Sequence, residues 1–314
     1  MTTYKEIRGT NIEAVASDPS NPVVGQVWYN TTTNVVKGFV NYSGSWSTGG
    51  AVNTARQYMG AAGTQTAALA FGGSPGVNLT EKYNGTTWTE VNNLQTARER
   101  LAGCGASNTA ALAFGGNAPP GEQAITETWN GTNWTEVGDL NEARSSLGGA
   151  GINTAALAFG GNPSPKLKLT ESWNGSNWTA VNPMINSRID FAGFGATNTA
   201  AIAAGGSEVS PQAKTESWNG SSWTEVNVLN TARKRLVGAG TSTAGIVFGG
   251  DPPGTAALTE LWNGTNWTEV SDLATPREAP GGAGTTAAAL AISGPTTATE
   301  EWNQGPATVT FDVS

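Results

Sequence analysis

Glutamate and arginine recur at fixed places along this sequence, and these residue types could do acid–base or anion-binding chemistry. A glutamate precedes an aromatic residue by two positions at Glu81, Glu127, Glu171, Glu216, Glu260 and Glu300. An arginine follows a tryptophan by ten positions in the pairs Trp46 and Arg56, Trp88 and Arg98, Trp134 and Arg144, Trp178 and Arg188, Trp223 and Arg233, and Trp267 and Arg277. A catalytic site would require one repeat whose glutamate or arginine differs from those of the other repeats, whereas these residues are alike in all six. We therefore interpret them as structural glutamate–arginine hydrogen bonds that tie the repeats together.

Other catalytic and metal-binding residue types are scarce. The sequence contains no histidine, which removes the commonest general base and the commonest neutral ligand of zinc and copper. The single cysteine, Cys104, lies in a run of apolar and small residues, where we expect a buried and inert thiol. We therefore expect no enzyme activity, no catalytic residue, no metal and no cofactor, although calcium held by backbone carbonyls would need no motif.

The charge and the hydropathy pattern bear on partners and location. The net charge is −8, and the 16 lysines and arginines are mostly spread singly, so we expect no nucleic-acid binding. Met1–Ala14 contains no apolar segment typical of a secretory signal. No window approaches the roughly 20 apolar residues that a spanning helix needs, so we expect no membrane insertion and synthesis in a cytoplasm.

The tryptophans that mark the repeat are 42, 46, 44, 45 and 44 residues apart, a period typical of four-stranded propeller blades. Within one repeat, Thr109–Phe114 is short and apolar, which predicts a strand buried on both faces. The small residues of Leu101–Ser107 predict the strand before it. Ile125–Trp129 and Trp134–Val137 flank an Asn-Gly turn, which predicts a hairpin. Each repeat should therefore form four antiparallel strands.

The repeat is offset at the two ends of the chain. Trp302 has no tryptophan partner downstream, whereas Trp46 lacks the preceding strands of its repeat. We therefore predict an all-β, six-bladed β-propeller of four-stranded antiparallel blades, in which Ser45–Val52 completes the blade formed by Gly281–Asn303. The alternative closing strand is Thr308–Val313, which has no tryptophan. The predicted domains are an N-terminal attachment segment with a β-hairpin at 1–44, the propeller at 45–303 and a C-terminal tail strand at 304–314.

The repeat resembles a known family. A strand that ends in Gly-Gly, a glutamate two places before an aromatic residue and a tryptophan five residues after it resemble the kelch repeat from Tyr42 to about Asn303. The resemblance implies a propeller with four-stranded blades. Asn-Gly replaces the usual acidic turn, and the inner strands are richer in alanine and threonine than is typical. Kelch-propeller enzymes such as galactose oxidase hold copper with histidine and tyrosine, and this chain lacks the histidines.

A second resemblance lies in Val24–Trp46, which reads VGQVWYNTTTNVVKGFVNYSGSW. It is similar to short hairpin segments of bacteriophage tail-fibre and other virion proteins. This resemblance implies a non-enzymatic virion component, such as a tail fibre or tail-tip protein, that is oligomeric in the particle and contacts other virion proteins or a host-surface glycan or protein. The alternative is a bacterial adhesin or lectin-like carbohydrate-binding propeller. A lyase or hydrolase has the least support.

The segments that follow the glycine doublets vary in length and sequence, and we call them the variable loops: Ser74–Leu79, Asn117–Ile125, Asn162–Leu169, Ser207–Lys214, Asp251–Leu258 and Pro295–Ala298. They are a candidate binding surface on a constant scaffold. The candidate residues are Pro119, Pro120, Glu122, Gln123, Lys166, Lys168, Glu208, Gln212, Lys214 and Asp251. The alternative is that these loops are merely unconstrained. Aromatic pairs such as Trp129 and Trp134 could stack on sugars, but their recurrence in every repeat favours packing between blades.

Overall fold

The computed structural model describes residues 12–20, 26–41, 44–163, 168–252, 254 and 256–311. Every regular element in these ranges is a β-strand. The chain divides into two compact units, one formed by Ser45–Asn303 and the other by Met1–Gly44 with Gln304–Ser314. A search of the described ranges finds no helix long and apolar enough to cross a membrane.

The unit Ser45–Asn303 contains six four-stranded antiparallel sheets, which we number 1 to 6. Their first to fourth strands are Gly60–Thr64, Ala67–Phe71, Thr80–Tyr83 and Trp88–Val91 in sheet 1; Ala102–Ser107, Ala110–Phe114, Thr126–Trp129 and Trp134–Glu136 in sheet 2; Gly148–Ile152, Ala155–Phe159, Thr170–Trp173 and Trp178–Val181 in sheet 3; Ala192–Thr197, Ala200–Ala204, Thr215–Trp218 and Trp223–Val226 in sheet 4; Val237–Thr241, Ala244–Phe248, Thr259–Trp262 and Trp267–Glu269 in sheet 5; and Gly281–Gly284, Ala288–Ile292, Thr299–Asn303 and Ser45–Gly49 in sheet 6. A small hairpin of Asn117–Ala118 and Gly121–Glu122 follows the second strand of sheet 2.

Sheet 6 draws its strands from both ends of this unit. Ser45–Gly49 pairs antiparallel with Thr299–Asn303, and Trp46 lies opposite Trp302. Trp46 also packs against Phe248 of sheet 5, with ring centroids 4.9 Å apart. The alternative closing segment pairs elsewhere, because Pro306–Phe311 lies beside Val35–Asn41.

The hydrophobic core lies between neighbouring sheets. The second strands carry the sequence Ala-Ala-Leu-Ala-Phe or a close variant, and their last four residues are buried in every sheet. Between sheets 1 and 2, the Phe71 ring meets the Trp134 ring with centroids 4.8 Å apart. An apolar cluster of this kind fills each interface between consecutive sheets, and one joins sheet 6 to sheet 1.

Small residues allow the first strands to approach one another. The first strands of successive sheets are in contact, and that of sheet 6 contacts that of sheet 1. A Cβ atom on Gly103 would lie 2.5 Å from the Phe71 ring and 2.9 Å from the Ala61 carbonyl oxygen, so no larger residue fits there. The prediction of an all-β chain with repeated four-stranded antiparallel sheets is therefore confirmed, and the arrangement is compatible with a β-propeller.

Indole hydrogen bonds link neighbouring sheets. The Nε1–H group of a fourth-strand tryptophan donates to the hydroxyl of a threonine in the preceding sheet, in the pairs Trp46–Thr259, Trp134–Thr80, Trp178–Thr126, Trp223–Thr170 and Trp267–Thr215. The equivalent pair between sheets 1 and 6 would be Trp88 and Thr299. However, Trp88 Nε1 and Thr299 Oγ1 are both buried without a hydrogen-bond partner. The interface between these two sheets therefore differs from the other five.

We call the unit formed by Met1–Gly44 with Gln304–Ser314 the N-terminal unit. It contains a four-stranded sheet in the order Glu13–Val15, Val27–Asn30, Val35–Asn41 and Pro306–Phe311. The first pair is parallel and the other two are antiparallel. The Asp18 carboxylate accepts hydrogen bonds from Lys37 Nζ at 2.7 Å, Asn30 Nδ2 at 2.8 Å and Trp28 Nε1 at 3.1 Å. These bonds, above all that from Lys37, lower the pKa of Asp18 to about 2.

Candidate functional site

The repeated arginines and glutamates form buried ion pairs. The shortest nitrogen–oxygen distances are 2.7 Å for Arg56–Glu81, 3.3 Å for Arg98–Glu127, 2.9 Å for Arg144–Glu171, 2.5 Å for Arg188–Glu216, 3.0 Å for Arg233–Glu260 and 2.6 Å for Arg277–Glu300. Burial lowers the pKa of Arg144 to about 10, and it lowers the pKa of Arg56, Arg98, Arg188 and Arg233 in the same direction. Because these groups are shielded from solvent, they are poorly placed to meet a substrate.

The arginine also fixes the connection that precedes each sheet. Arg144 Nη1 donates to the carbonyls of Gly160 at 3.2 Å and Leu169 at 2.8 Å, which lie on either side of the variable loop. Glu171 in turn accepts from the backbone N–H of Asn141 at 2.8 Å. One charged pair therefore orders the connection, the glycine doublet and the third strand of a repeat.

Arg98 departs from this pattern. It donates to the Ala113 carbonyl at 3.4 Å, and its Nε and Nη1 atoms are buried without a hydrogen-bond partner. The Oε1 atom of Glu127 is likewise without a hydrogen-bond partner, although it lies 3.3 Å from Arg98 Nη2. Of the six pairs, this one is held least tightly.

The variable loops lie beside the connections that carry the arginines. Single β-bridges join the two segments in the pairs Gln57–Ser74, Glu99–Asn117, Ser145–Asn162, Ile189–Ser207 and Lys234–Asp251. Loops and connections therefore share one face of the unit, as the alternation of strand direction requires.

Most of the candidate loop side chains form hydrogen bonds or ion pairs with other residues of the chain. These bonds join Glu122 to Asn162, Gln123 to the carbonyls of Ala118 and Gly121, Lys168 to the Ile185 carbonyl, Glu208 to Ser187, Lys214 to Asn186 and Asp251 to Lys234. Pro119 and Pro120 are exposed, and Gln212 is half-buried. Lys166 lies outside the described residues.

A second set of residues lies two positions after the arginine of each buried ion pair. We call it the inner ring, and its members are Tyr58, Arg100, Ser146, Asp190, Arg235 and Ala279. Each of them has a positive φ, between 49° and 58°, which is uncommon for residues other than glycine. The backbone is therefore held in one left-handed conformation in all six repeats, although the side chains differ.

Backbone hydrogen bonds join these residues in a cycle. Each N–H group donates to the carbonyl of the equivalent residue in the preceding repeat, at distances from 2.5 to 3.3 Å. Tyr58 donates to Ala279, so the last repeat is bonded to the first. All six donors and all six carbonyls are thereby paired within the inner ring. This mutual bonding explains how a conformation that costs about 1–3 kcal/mol at a single residue is maintained.

The inner ring and the first strands enclose a cavity of about 150 Å³. Its titratable lining residues are Tyr58, Arg100, Asp190 and Arg235, and its walls are otherwise mostly glycine, alanine and other apolar side chains. The inner ring differs in chemistry from repeat to repeat, whereas the same residue types recur in the buried ion pairs and in the apolar core.

Asp190 lies between the two arginines of the cavity. Its Oδ1 atom is 3.4 Å from Arg100 Nη1, and its Oδ2 atom is 3.6 Å from Arg235 Nε. Arg100 Nη1 also donates to the Ser146 hydroxyl at 3.3 Å. The Arg100 guanidinium stacks over the Tyr58 ring, with its central carbon 3.9 Å from the ring centroid. Burial raises the pKa of the Tyr58 hydroxyl above its ordinary value of 10.0.

This cavity was not predicted from the sequence, although a signal was available. Counting two residues on from each repeated arginine gives Tyr, Arg, Ser, Asp, Arg and Ala, a sequence of unlike residues at one register position. The shared residues predict the repeat, whereas the candidate site lies at a register position where the repeats differ.

Two further predictions concern metals and Cys104. Among the described residues, no group of three or more histidine, cysteine, aspartate or glutamate side chains is placed to hold a metal ion. Cys104 lies on the first strand of sheet 2 and is buried, and this burial raises the pKa of its thiol. The thiol is therefore neutral and shielded, and thiolate chemistry has no support at this position.

No protein-family model matches the chain, and no curated protein matches its sequence at a significant level. The resemblances to the kelch repeat and to virion hairpins therefore depend on the motifs that carry them.

Proposed function

We propose that this chain is a six-bladed, kelch-type β-propeller that functions in binding and not in catalysis. Three observations support the six-bladed ring: the cyclic contacts of the first strands, the apolar cluster between sheets 6 and 1, and the backbone cycle of the inner ring. The pairing of Ser45–Gly49 with Thr299–Asn303 supports closure by the N-terminal strand. Closure of this kind removes the sheet edges that would otherwise remain open.

The proposal that this chain functions in binding depends mainly on the inner ring. Its backbone is the same in every repeat, whereas its side chains include two cations, an anion, a phenol and a hydroxyl. Loops of different lengths surround it on the same face. Binding surfaces are usually built by variation on a rigid scaffold, and this face fits that description.

We further propose that the chain is a virion component of a bacteriophage, such as a tail fibre, a tail-tip protein or another surface-exposed protein. The motif in Val24–Trp46 supports this assignment, and the separate N-terminal unit supplies a segment for attachment to other virion proteins. The propeller then contacts a host-surface glycan or protein.

Immunoelectron microscopy tests the virion assignment. An antibody raised against the purified protein is applied to particles and to cells from the source culture, and the expected result is label on the particles. Label confined to the bacterial envelope would contradict the virion proposal and favour the adhesin or lectin-like alternative.

A further inference from the structure

We propose that the cavity inside the inner ring binds a carboxylated sugar, such as a uronic acid residue of an acidic polysaccharide, through Arg100 and Arg235. This inference rests on the proposed function, because it assumes that the face of the inner ring is a binding face. It adds the chemical class of the ligand and the residues that recognise it.

The two guanidinium groups have donors to spare. A guanidinium has five N–H donors in a planar fork that matches a carboxylate. The contacts of Arg100 Nη1 with Ser146 and Asp190 are long, at 3.3 and 3.4 Å. Arg235 pairs through Nη1 with Glu278, and its Nε atom faces Asp190 Oδ2 at 3.6 Å without making a hydrogen bond. A carboxylate in the cavity would complete these incomplete sets of hydrogen bonds.

The charged side chains of the cavity lining are mostly arginines. The charged side chains that line the cavity are two arginines and one aspartate, whereas the whole chain has a net charge of −8. Asp190 is shared by both arginines and cannot neutralise both. Glu99 and Glu278 contact the arginines but do not line the cavity. An anion in the cavity would therefore meet guanidinium groups in the wall, although Asp190, Glu99 and Glu278 together offset the charge of the two arginines.

The size of the cavity and its remaining polar groups favour a sugar. Its volume of about 150 Å³ is half the lower end of the ~300–1,000 Å³ typical of drug-sized sites, so the occupant is a single small group. Tyr58 and Ser146 add hydroxyls that can bond to sugar hydroxyls. An extended peptide would need free backbone groups, but those of the inner ring are bonded to one another.

The test is a titration followed by NMR of the arginine Nε–H groups in the full-length, isotope-labelled protein. The probes are D-glucuronate, D-glucose at the same concentration, and a glutamate-containing tripeptide with blocked termini. We expect D-glucuronate to shift the Nε–H signals of Arg100 and Arg235 in a saturable manner, with at least tenfold higher affinity than D-glucose.

Substitutions of the two arginines test whether the NMR shifts arise from binding in the cavity. Arg100→Gln and Arg235→Gln should each weaken D-glucuronate binding at least tenfold, whereas the matched control Lys82→Gln, on the third strand of sheet 1, should not change it. If either arginine variant fails to fold, the wild-type titration still decides the matter, because it reports on the two Nε–H groups directly.

Two results would overturn the inference. Absence of D-glucuronate shifts at both arginines would show that the cavity does not bind the carboxylate. Binding of the tripeptide as tight as that of D-glucuronate would show that the site does not select a sugar. The proposed function fails separately: if D-glucuronate binds but the antibody does not label particles, only the virion assignment is wrong.

Discussion

At the scale of single residues, the clearest departure from the repeat is Tyr83, which stands where the other five repeats have tryptophan. Those tryptophans donate Nε1–H to a backbone carbonyl between the first and second strands of their own sheet. The Tyr83 hydroxyl instead donates to Glu301 of sheet 6 at 2.7 Å and accepts from Gly50 N–H at 3.2 Å. It therefore joins the two sheets between which the Trp88–Thr299 bond is missing.

The Tyr83→Phe substitution tests this link. We expect the unit Ser45–Asn303 to lose about 1–2 kcal/mol of unfolding free energy, because the Gly50 N–H and the Glu301 carboxylate lose a partner in a partly buried place. Urea unfolding followed by tryptophan fluorescence measures the loss. Tyr29→Phe is the matched control, since its hydrogen bond to Asn34 is exposed, and an equal loss in both variants would contradict the special role of Tyr83.

The ionisation of Tyr83 provides a pH-dependent test. Burial, followed by the hydrogen bond to Glu301, raises the pKa of Tyr83 from 10.0 to about 12. Because the folded state retains this proton more tightly than the unfolded state, the stabilisation is complete below pH 10 and is lost as the pH rises through about 12. A phenolate absorbance titration of the wild type should show a titration near pH 12 that is absent from the Tyr83→Phe variant. A Tyr83→Phe difference spectrum with a midpoint near 10 would contradict the assignment.

The buried ion pairs allow a comparison between two chemically identical substitutions. Glu171→Gln leaves Arg144 charged and buried without its carboxylate, which should cost about 3–5 kcal/mol of unfolding free energy. Glu127→Gln should cost less, because the Arg98–Glu127 distance of 3.3 Å is longer than the 2.9 Å of Arg144–Glu171. Chemical denaturation of both variants measures the difference. Equal losses would show that the distances do not reflect the strengths of the two pairs.

At the scale of elements, Asp18 organises the N-terminal sheet by binding side chains of its second and third strands, Trp28, Asn30 and Lys37. Its pKa is about 2, below the ordinary value of 3.8, so the folded state favours the carboxylate. The stabilisation is therefore present above pH 3.8 and is lost as the pH falls through about 2.

An NMR pH titration of the Trp28 indole N–H group tests the role of Asp18. We expect a shift with a midpoint near pH 2 that disappears in the Asp18→Asn variant. The indole N–H of Trp302, which donates to the Thr286 carbonyl, serves as the internal control. The same transition at both indoles would indicate general acid unfolding and contradict a local effect of Asp18.

At the scale of the whole molecule, the proposed closure predicts which terminal deletions destabilise the chain. Deleting Met1–Gly50 removes the fourth strand of sheet 6 and the contacts of Trp46 with Phe248, Trp302 and Thr259. The loss of such a tryptophan costs about 3 kcal/mol or more, so the melting temperature should fall markedly. Thermal unfolding followed by near-ultraviolet circular dichroism measures the effect.

Two matched deletions complete this experiment. Removing Met1–Gly44 retains the strand Ser45–Gly49, and removing Pro306–Ser314 affects only the strand beside Val35–Asn41. Both deletions should leave the melting of the unit Ser45–Asn303 nearly unchanged. A large effect of the C-terminal deletion, together with a small effect of deleting Met1–Gly50, would show that the proposed closing strand is wrong.

The regular parts of this fold could be predicted from the sequence because they depend on local signals. The spacing of Trp88, Trp134 and the other repeated tryptophans gave the period, and the Asn-Gly turns gave the hairpins. The strand order within each sheet follows from short connections. The same signals indicated that the repeated arginines and glutamates are structural.

The parts that were missed depend on contacts between distant segments. The pairing of Pro306–Phe311 with Val35–Asn41 joins the ends of the chain, and no local pattern encodes it. The positive φ of Tyr58 or Arg100 is not a preference of those residues, since it is stabilised by a cycle of bonds that involves all six repeats. The weaker Arg98 pair also could not be predicted, because Arg98 follows a tryptophan by ten positions and Glu127 precedes an aromatic residue by two, as in the other repeats.

The backbone cycle of the inner ring has a consequence for how this protein could change over time. Because its hydrogen bonds use only main-chain atoms, the six side chains can be exchanged without altering the bonds that hold them. Asparagine, aspartate and glycine accept this conformation readily, whereas β-branched residues do not. Single substitutions, beginning at the small Ala279, could therefore alter what the cavity recognises while the fold persists. The side chains of the cavity can therefore change independently of folding.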